Sequence, residues 1–111
     1  MSYRHFPFDL EILDAMTAYN AQDSVADKFT LVDAMIMSLI HSYNYSNKPF
    51  FASNDYLARI CFSTPATIQK SINRLCTHGL IDKQVNCANK RKQRFLTYNE
   101  AAVEAFKQGV P

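Results

Sequence analysis

Apolar residues recur at helical spacing along most of the chain and give way to two short extended runs only near residues 80–98. Leu10, Leu13 and Met16, or Ile12 and Met16, share one helical face, and Asp9 stands ahead of them as an N-cap. Residues 1–8 form an irregular lead-in with aromatic anchors at Tyr3, Phe6 and Phe8, and the polar run Asn20–Lys28 reads as a loop. Thr30-Leu31-Val32-Asp33 has the form of a capping box, with a hydroxyl at the N-cap and an acid three residues on. The helix it opens is apolar around much of its circumference, with Leu31, Val32, Ala34, Met35, Ile36, Leu39 and Ile40. Such a helix belongs at the centre of a core, and it should end near Tyr43-Asn44.

Lys48-Pro49-Phe50-Phe51-Ala52 is too short for a helix and reads as a short strand. Ser53 then caps a two-turn helix from Asn54 to about Cys61, with Tyr56, Leu57 and Ile60 facing inward. After a turn at Phe62, Ser63 or Thr64 caps the next helix. Pro65 occupies its first turn, where a missing N–H costs nothing. Ile68, Ile72 and Leu75 follow at i, i+4 and i+7, and Gly79 stands where a left-handed residue would end the helix. Leu80–Cys87 and Arg94–Tyr98 read as the strands of a hairpin around a polar tip, Ala88–Gln93. Asn99 caps a last helix from Glu100 to about Gln108, stopped by Gly109.

A chain of 111 residues that is 48% hydrophobic can bury one core and no second. The expected organisation is a single domain, 1–111, with its core at 29–98, an N-terminal extension at 1–28 and a C-terminal helix at 99–109. No apolar run approaches the roughly 20 residues a membrane span needs. The N-terminus lacks the form of a secretory signal, so a cytoplasmic location is expected. Cys61, Cys76 and Cys87, an odd number, are read as reduced thiols rather than metal ligands. His5, His41 and His78 are scattered, and no glycine-rich phosphate loop is present. No enzyme and no cofactor is expected.

Charge is uneven along the chain. Residues 1–40 hold two bases against six acids, whereas residues 56–98 hold eight bases against one acid, a local net charge of +7. One continuous segment thus carries most of the positive field, as a polyanion-binding face requires.

The order of elements (helix, short strand, short helix, helix, basic hairpin) is that of a winged helix-turn-helix: mainly α with a small β-hairpin wing. Two runs carry a closer likeness: Phe51-Ala52-Ser53-Asn54-Asp55-Tyr56-Leu57-Ala58, and the pattern of Ser63, Thr67, Ile68, Ile72, Leu75, Gly79, Leu80 and Ile81. Over residues 29–98 the chain resembles the N-terminal domains of phage and plasmid replication initiators (replisome organisers). It is similar, less closely, to bacterial winged-helix transcriptional regulators. The resemblance implies duplex DNA as the partner, in replication initiation or control of a mobile element.

The residues agree with that expectation. With Ile68, Ile72 and Leu75 inward, the outward positions are Thr64, Pro65, Thr67, Gln69, Lys70, Asn73 and Arg74. Gln and Asn can pair bidentately with adenine, and Lys or Arg with guanine. Lys90, Arg91, Lys92 and Arg94, on or beside the hairpin tip, are expected to meet phosphates. Alternatives are a free-standing transcriptional repressor, an expectation strengthened by the end at Pro111 where such initiators continue into a further domain, and a protein-interaction winged helix. A palindromic target would bring a homodimer, through the last helix or the aromatic N-terminus, and a replication or transcription protein is a further candidate partner.

Overall fold

The computed structural model describes residues 8–22, 27–45, 50–88 and 91–109; of 86–88 and 91–93 it describes the backbone alone. The expected anchors Tyr3 and Phe6, the strand start Lys48-Pro49 and the wing residue Lys90 lie outside the described residues.

Five helices and one hairpin follow in the order α1 (Leu10–Asn20), α2 (Leu31–Tyr45), α3 (Asn54–Ile60), α4 (Pro65–Thr77), β1 (Ile81–Ala88), β2 (Arg91–Tyr98) and α5 (Glu100–Lys107). Side-chain caps define the starts. Asp9 accepts from the Glu11 and Ile12 amides, Ser53 from Tyr56, Thr64 from Thr67 and Asn99 from Ala102. At α2 the capping box closes in both directions: the Thr30 amide donates to Asp33 Oδ2 at 2.9 Å, and the Asp33 amide to Thr30 Oγ1 at 3.3 Å. Gly79 ends α4 at φ +73°, and the Leu80 amide returns to the Leu75 carbonyl at 3.1 Å.

The centre is α2, which buries Ala34, Ile36, Met37, Leu39 and Ile40. Helix α1 packs on it through Ile12 and Met16, the second of the two expected faces, while Leu10 stays 66% exposed. Helix α5 closes over α1, and α4 brings Ile68, Ile72 and Leu75, all fully buried, against α2. On α3 the buried residues are Leu57 and Ala58; Tyr56 is exposed and Ile60 half-buried. Leu57 and Ile60 thus keep to the expected inward face, while Tyr56 leaves it and Ala58 takes its place. The small Ala58 lets the short helix sit close to its neighbours, which a tyrosine at that position would prevent.

The strands pair antiparallel from Ile81↔Tyr98 to Ala88↔Arg91. The expected tip at 88–93 is therefore too long: Arg91, Lys92 and Gln93 continue β2, because their backbone groups find ladder partners opposite Ala88, Cys87 and Asn86. The expected strand at 48–52 reduces to one bridge, the Leu96 amide donating to the Phe50 carbonyl at 3.0 Å. Buried Leu96 and Ile81 fasten the hairpin to the core, and the Asn44 side chain accepts the Tyr98 amide at 2.8 Å. A mainly helical core with this hairpin behind α3 and α4 is a winged helix.

Candidate nucleic-acid interface

Helix α4 is sharply two-sided. Ile68, Ser71, Ile72 and Leu75 are buried, while Pro65, Ala66, Thr67, Lys70, Asn73 and Thr77 are exposed. Thr64 stands exposed at the cap, its hydroxyl accepting from the Thr67 amide and donating to Thr67 Oγ1 at 3.0 Å. Pro65 supplies the first helical residue, where its fixed φ is already helical. Lys70 and Asn73 occupy the middle of the exposed face, and no large apolar side chain interrupts it. Ala66 and Thr77, not singled out from the sequence, belong to the same face, one turn either side of Lys70 and Asn73. A helical wheel centred on Lys70 finds both.

Two arginines of the expected set are engaged within the chain. Arg74 donates from Nη1 to both carboxylate oxygens of Asp33, at 3.0 and 2.9 Å, and from Nε to Asp27 at 3.1 Å. Asp33 is wholly buried and Asp27 is on the surface. Burial works against the Arg74 charge, but Asp33 and then Asp27 outweigh it and hold its pKa above the ordinary guanidinium value. A cleft of about 360 Å³ opens beside this pair, lined by Asp27, Lys70, Asn73, Arg74, Thr77 and His78.

Arg94 sits in β2 opposite Val85 and reaches back from the hairpin to the start of α3. It donates from Nη2 to the Ala52 carbonyl at 2.7 Å and from Nη1 to Asn54 Oδ1 at 2.8 Å. Its Nε is buried without a partner, and no carboxylate pairs with it among the described residues. Burial lowers its pKa, with the charge of Cys76 in its ionised form acting in the opposite direction. Gln69, half-buried, bridges α3 and the outer face of α4: it accepts from Asn54 Nδ2 at 2.9 Å and donates to Asn73 Oδ1 at 3.0 Å. Asn54 thus joins the site, although no charge or spacing in the sequence marks it. Arg91 and Lys92 are placed in β2, and Lys83 is exposed on β1.

Other chemistry is sparse. Among the described residues no group of three or more His, Cys, Asp or Glu is placed to hold a metal ion. Cys61 is buried and Cys76 half-buried, and burial raises both thiol pKa values. No helix among them is long and apolar enough to cross a membrane. His78, at the edge of the cleft, packs against the rings of Tyr19 and Phe29.

No curated protein and no solved structure matches the chain. Residues 30–81, from the capping hydroxyl of α2 to the first residue of β1, match the family model of a helix-turn-helix domain. The match spans α2, α3 and α4, so this part of the chain is similar to a helix-turn-helix domain, with α4 in the place of its second helix.

Proposed function

We propose that the protein binds duplex DNA, with α4 in the major groove and the β1–β2 hairpin against the adjoining backbone. The observation that carries this is the two-sidedness of α4 within a helix-turn-helix domain. Its apolar stripe is fully buried, and the outer face offers Thr64, Thr67, Gln69, Lys70 and Asn73 without a large apolar residue. Side chains of these types make the base and phosphate contacts of such helices. The wing residues Lys90, Arg91 and Lys92 supply the phosphate contacts of the hairpin, and Lys83 adds a cation on the opposing strand. Arg74 and Arg94 act from behind this surface, holding α4 to α2 and the hairpin to α3.

The test is fluorescence anisotropy of a labelled random-sequence duplex at several salt concentrations. The wild type is compared with Lys70→Ala and with the triple variant Lys90→Ala/Arg91→Ala/Lys92→Ala. Binding that weakens steeply with salt in the wild type, and less steeply in the triple variant, supports the reading. A folded wild type that does not bind at low salt overturns it. The likeness of residues 29–98 to replication-initiator domains supports a role in replication initiation or control of a mobile element. Preferred sites clustered as repeats at an origin would bear that role out; a single palindrome over a promoter would make the protein a repressor.

A further inference from the structure

Arg94, Asn54, Gln69 and Asn73 form a relay that runs in one direction. A guanidinium has donors only, so Arg94 obliges Asn54 to accept through Oδ1. Asn54 is left to donate through Nδ2, and it meets Oε1 of Gln69. Gln69 in turn donates through Nε2 to Oδ1 of Asn73. Each amide is oriented by the one before it, from the hairpin through α3 to the outer face of α4. At the end of the relay both amide oxygens are engaged, and the hydrogens left over are the N–H groups of Asn73 and one N–H of Gln69. Thr67 is in the same condition: its oxygen accepts from Thr64, which leaves its own hydroxyl proton free. Lys70, exposed beside them, is donor-only. Every polar group in the middle of this face therefore has a hydrogen to offer.

We propose that α4 reads acceptor-bearing base edges, guanine above all, and that Arg94 and Asn54 set this specificity as positioning residues without touching DNA. Guanine shows two acceptors, N7 and O6, in the major groove, whereas cytosine shows an N4 donor. Adenine asks an amide for one donor and one acceptor together. Gln69 and Asn73 each have one lone pair of the oxygen taken by the relay, which turns that oxygen toward its relay neighbour and favours contacts made through the N–H. This reading departs from the adenine pairing expected of Gln69 and Asn73 from the sequence. A half-buried Arg94 with an unpartnered Nε and no carboxylate is expensive to keep for packing alone, and orienting the relay gives it a purpose. The inference rests on the DNA-binding reading above.

The experiment selects preferred sites from a duplex pool with a randomised core, for the wild type and for Asn54→Asp. A carboxylate only accepts, so Gln69 must turn over and donate to it. Oε1 of Gln69 then takes an N–H from Asn73, whose Oδ1 faces outward. The wild type should select guanine beneath α4, and Asn54→Asp should shift the same positions to adenine or cytosine, by about tenfold in relative affinity for a reversed contact. Identical preferences in the two proteins, or adenine selected by the wild type, would overturn the relay while leaving DNA binding intact. No binding by a folded wild type overturns both. Should Asn54→Asp fail to fold, the wild type on its selected site carrying 7-deazaguanine decides: a loss of about fivefold or more supports the inference, and unchanged affinity refutes it.

Discussion

Replacing Arg74 with methionine removes the cation facing a carboxylate that has no exposure to solvent. Breaking a buried pair from one side costs about 3–5 kcal/mol, because the remaining charge is left uncompensated. Asp33 keeps the Thr30 amide as a donor at 2.9 Å, which places Arg74→Met near the lower end, about 3 kcal/mol. Asp33→Leu leaves Arg74 with the surface carboxylate of Asp27, a contact worth under about 1 kcal/mol. It also opens the capping box of α2, worth about 1 kcal/mol more, so its cost lies near 4 kcal/mol in all. The double variant Asp33→Leu/Arg74→Met buries no charge at this place. It should lose only the cap and the Asp27 contact, about 1–2 kcal/mol. Urea unfolding of the four proteins measures these values and their coupling. Single costs that add to within about 0.5 kcal/mol would refute the reasoning. The same proteins also separate a structural Arg74 from one that reads DNA: the folded double variant should keep its affinity for duplex, and loss of binding would return Arg74 to the contacting surface.

In the hairpin, Lys90→Ala/Arg91→Ala/Lys92→Ala should make the slope of log K against log salt shallower by up to about 2.7, about 0.9 for each phosphate no longer neutralised. An unchanged slope would remove the wing from the interface. Phe62, 96% exposed at φ +51°, holds a left-handed backbone that costs about 1–2 kcal/mol for a residue with a Cβ. Phe62→Gly should therefore raise the melting temperature, and a fall would show that the ring does something for the fold. Gly79→Ala should lower stability by about 1–2 kcal/mol through φ alone, since a Cβ there meets nothing within 4 Å. At alkaline pH two groups act together. Burial opposes the Lys107 charge, but its bond to Asp9 at 3.2 Å prevails and raises the pKa above the ordinary 10.5; burial raises the Tyr98 phenol above 10.0. Groups raised in the fold contribute fully below their unfolded values and lose that contribution as pH climbs through the folded ones. Stability should fall above pH 10, and Lys107→Met should flatten the fall.

The elements governed by local chemistry were legible in the sequence. The stripe Ile68, Ile72 and Leu75, the caps Asp9, Ser53, Thr64 and Asn99, and the left-handed Gly79 each follow from neighbours a few residues away. What escaped is decided across distance. Arg74 belongs to the basic half of the chain and Asp33 to the acidic half, and a sum of charges along the sequence hides that they meet inside the protein. The run Lys90-Arg91-Lys92-Gln93 has the composition of a turn, yet the ladder with β1 claims its last three residues. Arg94 resembles its basic neighbours, and only the approach of β2 to Ala52 and Asn54 separates it from them. For Tyr56 and Ala58, spacing on a seven-residue helix leaves the inward face open, and the packing of α3 against α4 closes the choice.

The central claim is that the outer face of α4 meets duplex DNA, and chemical-shift mapping of backbone amides during titration with a short duplex tests it most directly. Perturbations concentrated at residues 64–77 and along the hairpin, with α1 and α5 little changed, are the predicted result. Shifts gathered instead on α1 and α5, or none in a folded protein at low salt, would contradict the account.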